Sequence, residues 1–526
     1  MSGTGSMDEA TRRQIAELVA LGAGLHDNGQ LAEAEELFAG LRAITRDDVQ
    51  VNSRLGLLMA TRGEFAGAIP VLQDAVVAAP HIPLLQNVLS VCAFETGDHA
   101  GALAAADAAI AAAPDFPEAW NSRGNALTRL GRDAEALDAF QAAGRLRPGD
   151  PVVLLNIANA LRGLGRPDEA LASLDQALAL APILAPAHAN RGNVLQDLGR
   201  HPEAIASYDQ AIALDPQSVD ANWNGALCRL LTGDYAGGWR GHEWRWRRAS
   251  PENRPRDFTA PLWLGQAPLA GRSILLHGEQ GLGDCLQSAR YIPQVAALGA
   301  RVTVEIYAPL VELFRSLEGV EVIAAGAPLP QTDFQCPLMS LPLALGETGP
   351  PAPRGPYLAA PAARLAQWGA RAPADGRLKV GLTVSGSATH GNDRRRSLPF
   401  ATLAPFLPTG PAYHLLQKEI APRDLEPLAA RPDVTTWTGE LGDLSDTAAL
   451  AEQMDIVISV DTSIAHLAGA LGRPTWILLP YDPDWRWGLV AETTPWYASA
   501  RLYRQDARDD WTGVLARLQR DLAAAR

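Results

Sequence analysis

Two short stretches hold most of the residues able to move a proton or to hold an anion. The first is Gly278-Glu279-Gln280-Gly281-Leu282-Gly283-Asp284, directly after the apolar run Ser273–His277. His277, Glu279 and Asp284 are general acid–base side chains. A carboxylate on a glycine-flexible loop at a strand's carboxyl end is placed to take a proton from a bound hydroxyl. Asp284 also precedes an apolar helical stretch, residues 285–298, where an aspartate would cap the helix. Both roles stay open to it, with Glu279 and His277 as the other bases or acceptor contacts. The second stretch is Asp461-Thr462-Ser463-Ile464-Ala465-His466, after the apolar residues 456–460. Thr462, Ser463 and His466 open a helix there, and free N–H groups and the dipole of a helix N-terminus favour a phosphate. As caps and a packed imidazole the same residues would be purely structural. Lys418 adds a point charge at another strand end, and the adjacent Gln417 suits a base or ribose. Ser385, Gly386, His390 and Asn392, with Arg394, Arg395 and Arg396, form a polar, basic loop suited to an anionic ligand. Asp482-Pro483-Asp484 has two carboxylates one residue apart, but it lies in a proline turn and reads as capping; no metal is expected.

Alternating strand and helix must position these residues. Apolar runs at 273–277, 302–307 and 320–324, with helices at 285–298 and 309–316 between them, make a βαβαβ unit. A second unit opens at residues 379–384, with further strands expected at 413–417, 456–460 and 475–479. The halves are read as 273–360 and 379–526, joined by a linker at 361–378 within a Pro/Ala/Gly-rich stretch, 346–376. Two such halves hold ligands at the carboxyl ends of their strands. The loop 278–283 does not match G-x-G-x-x-G, carries Glu279 and Asp284 near where a pyrophosphate would lie, and is followed by no Walker lysine. This argues against dehydrogenase and P-loop kinase chemistry.

Upstream the pattern is a repeat. Gly29, Gly63, Gly97, Gly131, Gly165, Gly199 and Gly233 are spaced by 34 residues, and Pro80, Pro114, Pro148, Pro182 and Pro216 share the period. Each unit reads as two antiparallel helices with glycine at the turn. Residues 117–150, through Trp120, Gly124, Gly131, Ala136, Phe140, Ala143 and Pro148, resemble the tetratricopeptide consensus. Seven units fit residues 15–250, after a tail at 1–14 and before a connector at 251–272. The resulting solenoid presents its first helices along one groove. Asn125, Asn159 and Asn193 share one repeat position there, and Asn156, Asn190 and Asn224 another. Such amide columns can bond the backbone of an extended peptide acceptor or bond between neighbouring repeats. Residues 239–248 interleave tryptophan with arginine and read as a docking helix that joins the array to the strand-and-helix half of the chain.

Composition bounds the partners. The 526 residues carry a net charge of −14, which disfavours nucleic acid. Cys92, Cys228, Cys285 and Cys336 are scattered and read as reduced thiols. No apolar run reaches the length of a membrane span, and the first seven residues lack the apolar core of a secretory leader. A cytoplasmic protein is expected.

Two motifs carry a family resemblance over the C-terminal half. Gly281-Leu282-Gly283-Asp284 with Pro293 is similar to the first-domain loop of bacterial heptosyltransferases, in which the aspartate is the catalytic base. Residues 461–474, from Asp461-Thr462-Ser463 through His466 to Gly472-Arg473-Pro474, resemble their donor motif. The resemblance implies an α/β GT-B transferase of two Rossmann-like halves, inverting and metal-independent, with a nucleotide sugar as co-substrate and no cofactor. The layout also resembles O-linked N-acetylglucosamine transferases and, as a whole, the alphaproteobacterial flagellin glycosyltransferases. The latter implies an all-α tetratricopeptide solenoid that binds flagellin or another protein, and transfer of a nonulosonic acid, pseudaminic or legionaminic, from a CMP donor to Ser/Thr. Thr383-Val384 stands where that family carries a tryptophan before Ser385-Gly386. The alternatives are a UDP- or ADP-sugar transferase acting on another protein or glycan, and a catalytically inactive scaffold. Such arrays often dimerise, so a homo-oligomer stays open.

Overall fold

A computed structural model describes residues 9–248, 256–351, 355–372, 376–386 and 396–525. It divides into two compact units, Met1–Gln217 and Ser218–Arg526.

The first unit is helical in its described residues, from Glu9–Asp27 to His201–Leu214, and its helices pair as the period demands. The turn glycines adopt the left-handed conformation, with φ of +78° at Gly29 and +72° at Gly131, where a side chain would be strained. A second class of glycine works by size. A Cβ on Gly124 would lie 2.4 Å from the Phe140 ring, and one on Gly192 would lie 2.6 Å from Tyr208. Each ring thus packs against bare backbone of its partner helix, and the repeats close at interior density.

The second unit opens with helices Val219–Thr232 and Tyr235–His242 and the short 3-10 turn Glu243–Arg247. The 34-residue period assigns this pair to the repeat array, but it packs inside the second unit. The Trp239 ring lies 5.4 Å from Trp485 and 6.4 Å from Trp496, edge-on to both. Arg245, fully buried, reaches the loop after the first strand. Residues 239–248 thus pack within the second unit, whose compact boundary lies at Ser218.

Two parallel sheets complete the second unit. The first contains β1 Ser273–His277, β2 Arg301–Ile306, β3 Val320–Ala324 and β4 Phe334–Pro337 in the order β3-β2-β1-β4. The second contains β5 Lys379–Thr383, β6 Ala412–Leu415, β7 Val434–Thr436, β8 Ile456–Val460, β9 Thr475–Leu479 and β10 Ala500–Arg504 in the order β10-β9-β8-β5-β6-β7. Central strands such as β8 are buried throughout, as expected where helices cover both faces of a parallel sheet. Strands β4, β7 and β10 carry weak sequence signals. The first ends in a proline, the second is three residues long, and the third alternates charge with apolar residues. The helix expected over 285–298 divides into Leu282–Ser288, a 3-10 turn Ala289–Tyr291 and Ile292–Ala297. Pro293, which has no N–H to give, opens the last piece. The helix expected over 309–316 shortens to a 3-10 turn Ala308–Leu310 and Val311–Phe314.

Candidate functional site

The loop after β1 and the helix after β8 meet across a cleft of about 270 Å³. It is lined by Gly281, Leu282, Gly283 and Asp284 from the first half and by Gly386, Arg396, Asp461, Thr462, Ser463, His466, Asp484 and Arg486 from the second. Close approach depends on Gly283, where a Cβ would lie 3.0 Å from the His466 ring. Asp284 occupies the third position of helix Leu282–Ser288 rather than its N-cap, which is Gly281. One carboxylate oxygen accepts from the Gly281 N–H at 2.8 Å, and the other accepts from Arg486. Asp284 therefore fixes its own loop and faces the cleft at once.

Thr462 is the N-cap of helix Ser463–Ala470, accepting from the Ile464 N–H at 3.3 Å, and it also lines the cleft. His466, one turn in, shares a hydrogen bond of 2.8 Å between Nδ1 and the Tyr497 hydroxyl and stacks on Trp487. Burial and nearby arginines hold its pKa well below the usual histidine value, so the ring is neutral. Asp461, at the end of β8, is pushed up to about 6 by burial and by the neighbouring Asp484 carboxylate. Its backbone carbonyl accepts from Arg396 at 3.2 Å.

Other expected site residues stand elsewhere. Glu279 is buried and accepts two hydrogen bonds from Arg245, both at 2.8 Å. Burial raises its pKa while Arg245 works against that rise. Glu279 does not line the Asp284 cleft. His277 lines a different cavity of about 390 Å³, as Glu279 does, with Trp246, Arg256, Phe258, Glu305 and Tyr307. Its Nε2 pairs with Gln335 at 2.9 Å, Phe258 stacks on it, and burial lowers its pKa to about 4. Gln417 does not reach the cleft. It accepts from the Val384 N–H at 2.9 Å and donates to Ser385 Oγ at 3.0 Å, so it braces the loop carrying Ser385 and Gly386. Lys418 is exposed and donates to the Gly442 carbonyl. His390, Asn392, Arg394 and Arg395 lie outside the described residues. Asp484 caps its turn by accepting from the Arg486 N–H at 3.1 Å, and Asp482 pairs with Arg508. Arg486 carries no recognisable sequence signal. Only its two flanking tryptophans mark the turn as one that packs.

In the first unit the asparagine columns are half-exposed, with Asn156 and Asn190 bonded across repeats and Asn193 bonded within its own. Asn156 donates to Asn121 at 2.8 Å, Asn190 donates to Asn159 at 2.9 Å, and Asn193 accepts from the Tyr208 hydroxyl at 2.8 Å. Asn125 lies half-buried at the same repeat position as Asn159 and Asn193, while Asn224 belongs to the second unit.

Comparison with known proteins bears on both units. Residues 20–83, 89–151, 155–218 and 189–238 match the tetratricopeptide repeat. Residues 407–506, which carry the Asp461–His466 segment and Arg486, match Glycosyltransferase family 9 (heptosyltransferase). Along the chain, matches to the tetratricopeptide repeat are thus followed by a match to glycosyltransferase family 9. A relative, Protein FlbA of Caulobacter vibrioides, is 28% identical over 329 residues, covering 57% of this chain. The match spans 55% of FlbA, about half its length. Among solved structures, a thermophilic TPR protein of Thermus thermophilus is 25% identical with a TM-score of 0.32, over 35% of this chain and 100% of its own. A tetratricopeptide repeat protein from Parabacteroides merdae is 15% identical with a TM-score of 0.40, over 45% of this chain and 92% of its own. Among the described residues, no helix is long and apolar enough to cross a membrane.

Proposed function

We propose that this chain is a protein O-glycosyltransferase of GT-B architecture, with the nucleotide sugar in the cleft between Asp284 and the helix Ser463–Ala470. The observation that carries this reading is the cleft itself. A carboxylate from one half faces the N-terminus of a helix from the other, inside the segment that matches family 9. Asp284 takes the acceptor hydroxyl's proton as that oxygen attacks the sugar's anomeric carbon. The leaving phosphate is stabilised by the N–H groups opening helix Ser463–Ala470, by His466 and by Arg396. Attack opposite the leaving group inverts the anomeric centre, and these groups supply the electrostatics without a metal. Ser385 and Gly386, braced by Gln417, shape the donor side, and Asp461 faces the sugar.

The acceptor is a protein segment held by the repeats. The layout's likeness to flagellin glycosyltransferases supports flagellin as acceptor and a CMP-linked nonulosonic acid as donor, in the cytoplasm. The family's description as heptosyltransferase favours a second reading, a heptose or hexose from an ADP or UDP donor. The test is a thermal-shift panel of CMP, UDP, GDP and ADP, followed by mass spectrometry of flagellin incubated with the matching donor. A nucleotide at 100 times its Kd adds about 2.7 kcal/mol to the stability of the unit that binds it. A shift with CMP alone supports the nonulosonic acid donor, and one with UDP or ADP alone supports the second reading. No shift with any of them removes the transferase assignment.

A further inference from the structure

Arg486 is almost fully buried, and its guanidinium has three directions of donation, each taken by a different residue. Nε donates to Gln287 at 2.6 Å, Nη1 to Asp484 at 2.7 Å and Nη2 to Asp284. Its flat face lies 4.4 Å from the Trp485 ring. Gln287 and Asp284 stand on one helix of the first half, one turn apart, whereas Asp484 and Trp485 belong to the second half. Burial disfavours its charge, but Asp484 and Asp284 outweigh that and its pKa is raised.

We infer that Arg486 is a positioning residue, through which the second half of the transferase orients the Asp284 carboxylate of the first. This rests on the proposed role of Asp284 as base. The planar fork is what the task needs. It fixes the carboxylate plane while its own plane is fixed by Gln287, Asp484 and the indole, and a lysine ammonium cannot span these positions. The remaining Asp284 oxygen is tied to its own backbone at Gly281, so the acid cannot rotate without losing a bond. The base is complete only while the two halves are in contact. Asp284 exposed by their separation would lose its partner, and an unaligned base is a poor one, since misplacement by about 1 Å costs on the order of 100-fold in rate.

The experiment compares the full-length wild type with Asp284→Asn, Arg486→Gln, Arg486→Lys and Asp284→Asn/Arg486→Gln. Denaturant unfolding of the wild type, Asp284→Asn, Arg486→Gln and the double variant gives the coupling between the two sites without any need for substrate. A change of about tenfold or more in the unfolding constant is expected from the pair, and coupling below about twofold overturns the inference. On transfer, Arg486→Gln and Arg486→Lys are expected to lower kcat by similar factors, about 10- to 100-fold, while the Kd of the nucleotide that stabilises the wild type stays within about twofold. The double variant is then no slower than Asp284→Asn alone. An Arg486→Lys that retains wild-type kcat would overturn the inference by showing that the planar fork is not needed, and a weakened nucleotide Kd, or a double variant slowed by the product of the two singles, would overturn it by placing Arg486 on the donor. Failure of the transferase reading is distinct, because it shows as a wild type that binds none of the four nucleotides, and the unfolding cycle still decides whether the pair exists.

Discussion

Replacing Arg245 by Met removes the partner of a buried carboxylate and gives a cost that can be worked from the structure. Arg245 is fully buried and Glu279 nearly so, and the pair is held by two hydrogen bonds of 2.8 Å. Arg245 also donates to Ser340 at 2.6 Å and to Glu243 at 2.7 Å. Without the guanidinium, Glu279 keeps the Met339 N–H at 3.2 Å, which is too little to hold a buried charge. It will take up a proton instead. Protonating at pH 7 a group whose unfolded pKa is near 4.3 costs about 3.7 kcal/mol. The lost bonds to Ser340 and Glu243 bring the total to roughly 4–5 kcal/mol, within the range for breaking a buried pair. Because the penalty is a proton uptake, it has a sign in pH. In the variant, Glu279 has a folded pKa raised above its unfolded one, so the deficit grows as pH rises toward that folded pKa and shrinks as pH falls toward 5. Arg245→Met/Glu279→Gln removes the charge as well and is expected to lose only about 1–2 kcal/mol. The assay is urea unfolding followed by tryptophan fluorescence, which reports the second unit because Trp120 is the one tryptophan of the first. A deficit for Arg245→Met below about 1 kcal/mol, or one that is the same at pH 5 and pH 8, would refute the reasoning.

The same unit yields two further expected outcomes. Asp461, pushed up to about 6 by burial and Asp484, binds its proton more tightly in the native state; its contribution is present below about pH 4 and is lost, by about 3 kcal/mol, as pH rises through 6. His277, lowered to about 4 by burial, acts oppositely: its contribution is present above about pH 6.5 and is lost as pH falls through 4. Urea midpoints measured from pH 4 to 6.5 are therefore expected to climb more steeply in Asp461→Asn than in the wild type and less steeply in His277→Gln, and profiles parallel to the wild type would contradict both assignments. The helix pair before the sheets gives the other outcome. A chain starting at Ser218 keeps Trp239 and Arg245 and is expected to melt as the second unit does in the full chain. One starting at residue 249 uncovers Trp485 and Trp496, strands Glu279 and is expected to melt about 10 °C lower or to aggregate. Equal melting temperatures in calorimetry would show that the pair is not part of this unit.

The sequence alone determined the parts of this protein that are written in local chemistry. The 34-residue period is visible because each turn needs a left-handed glycine and the paired helices approach closely over small residues, as at Gly124 beneath Phe140 and Gly56 beneath Leu72. The strands β1, β2, β5, β8 and β9 were legible as apolar runs because central parallel strands are buried on both faces. Asp284 and the Thr462–His466 helix start were legible because their neighbours have the types that end strands and open helices. Tertiary structure decided the rest. Glu279 and His277 lie within seven residues of Asp284 and carry equally competent groups, yet both line another cavity, one held by an arginine 34 residues upstream and the other stacked under Phe258. The asparagine columns are regular in sequence, but only the spacing of adjacent helices makes Asn156 reach Asn121 and Asn190 reach Asn159. Arg486 was silent for the same reason. A side chain's task is set by what faces it, and its partner Asp284 is 202 residues away along the chain.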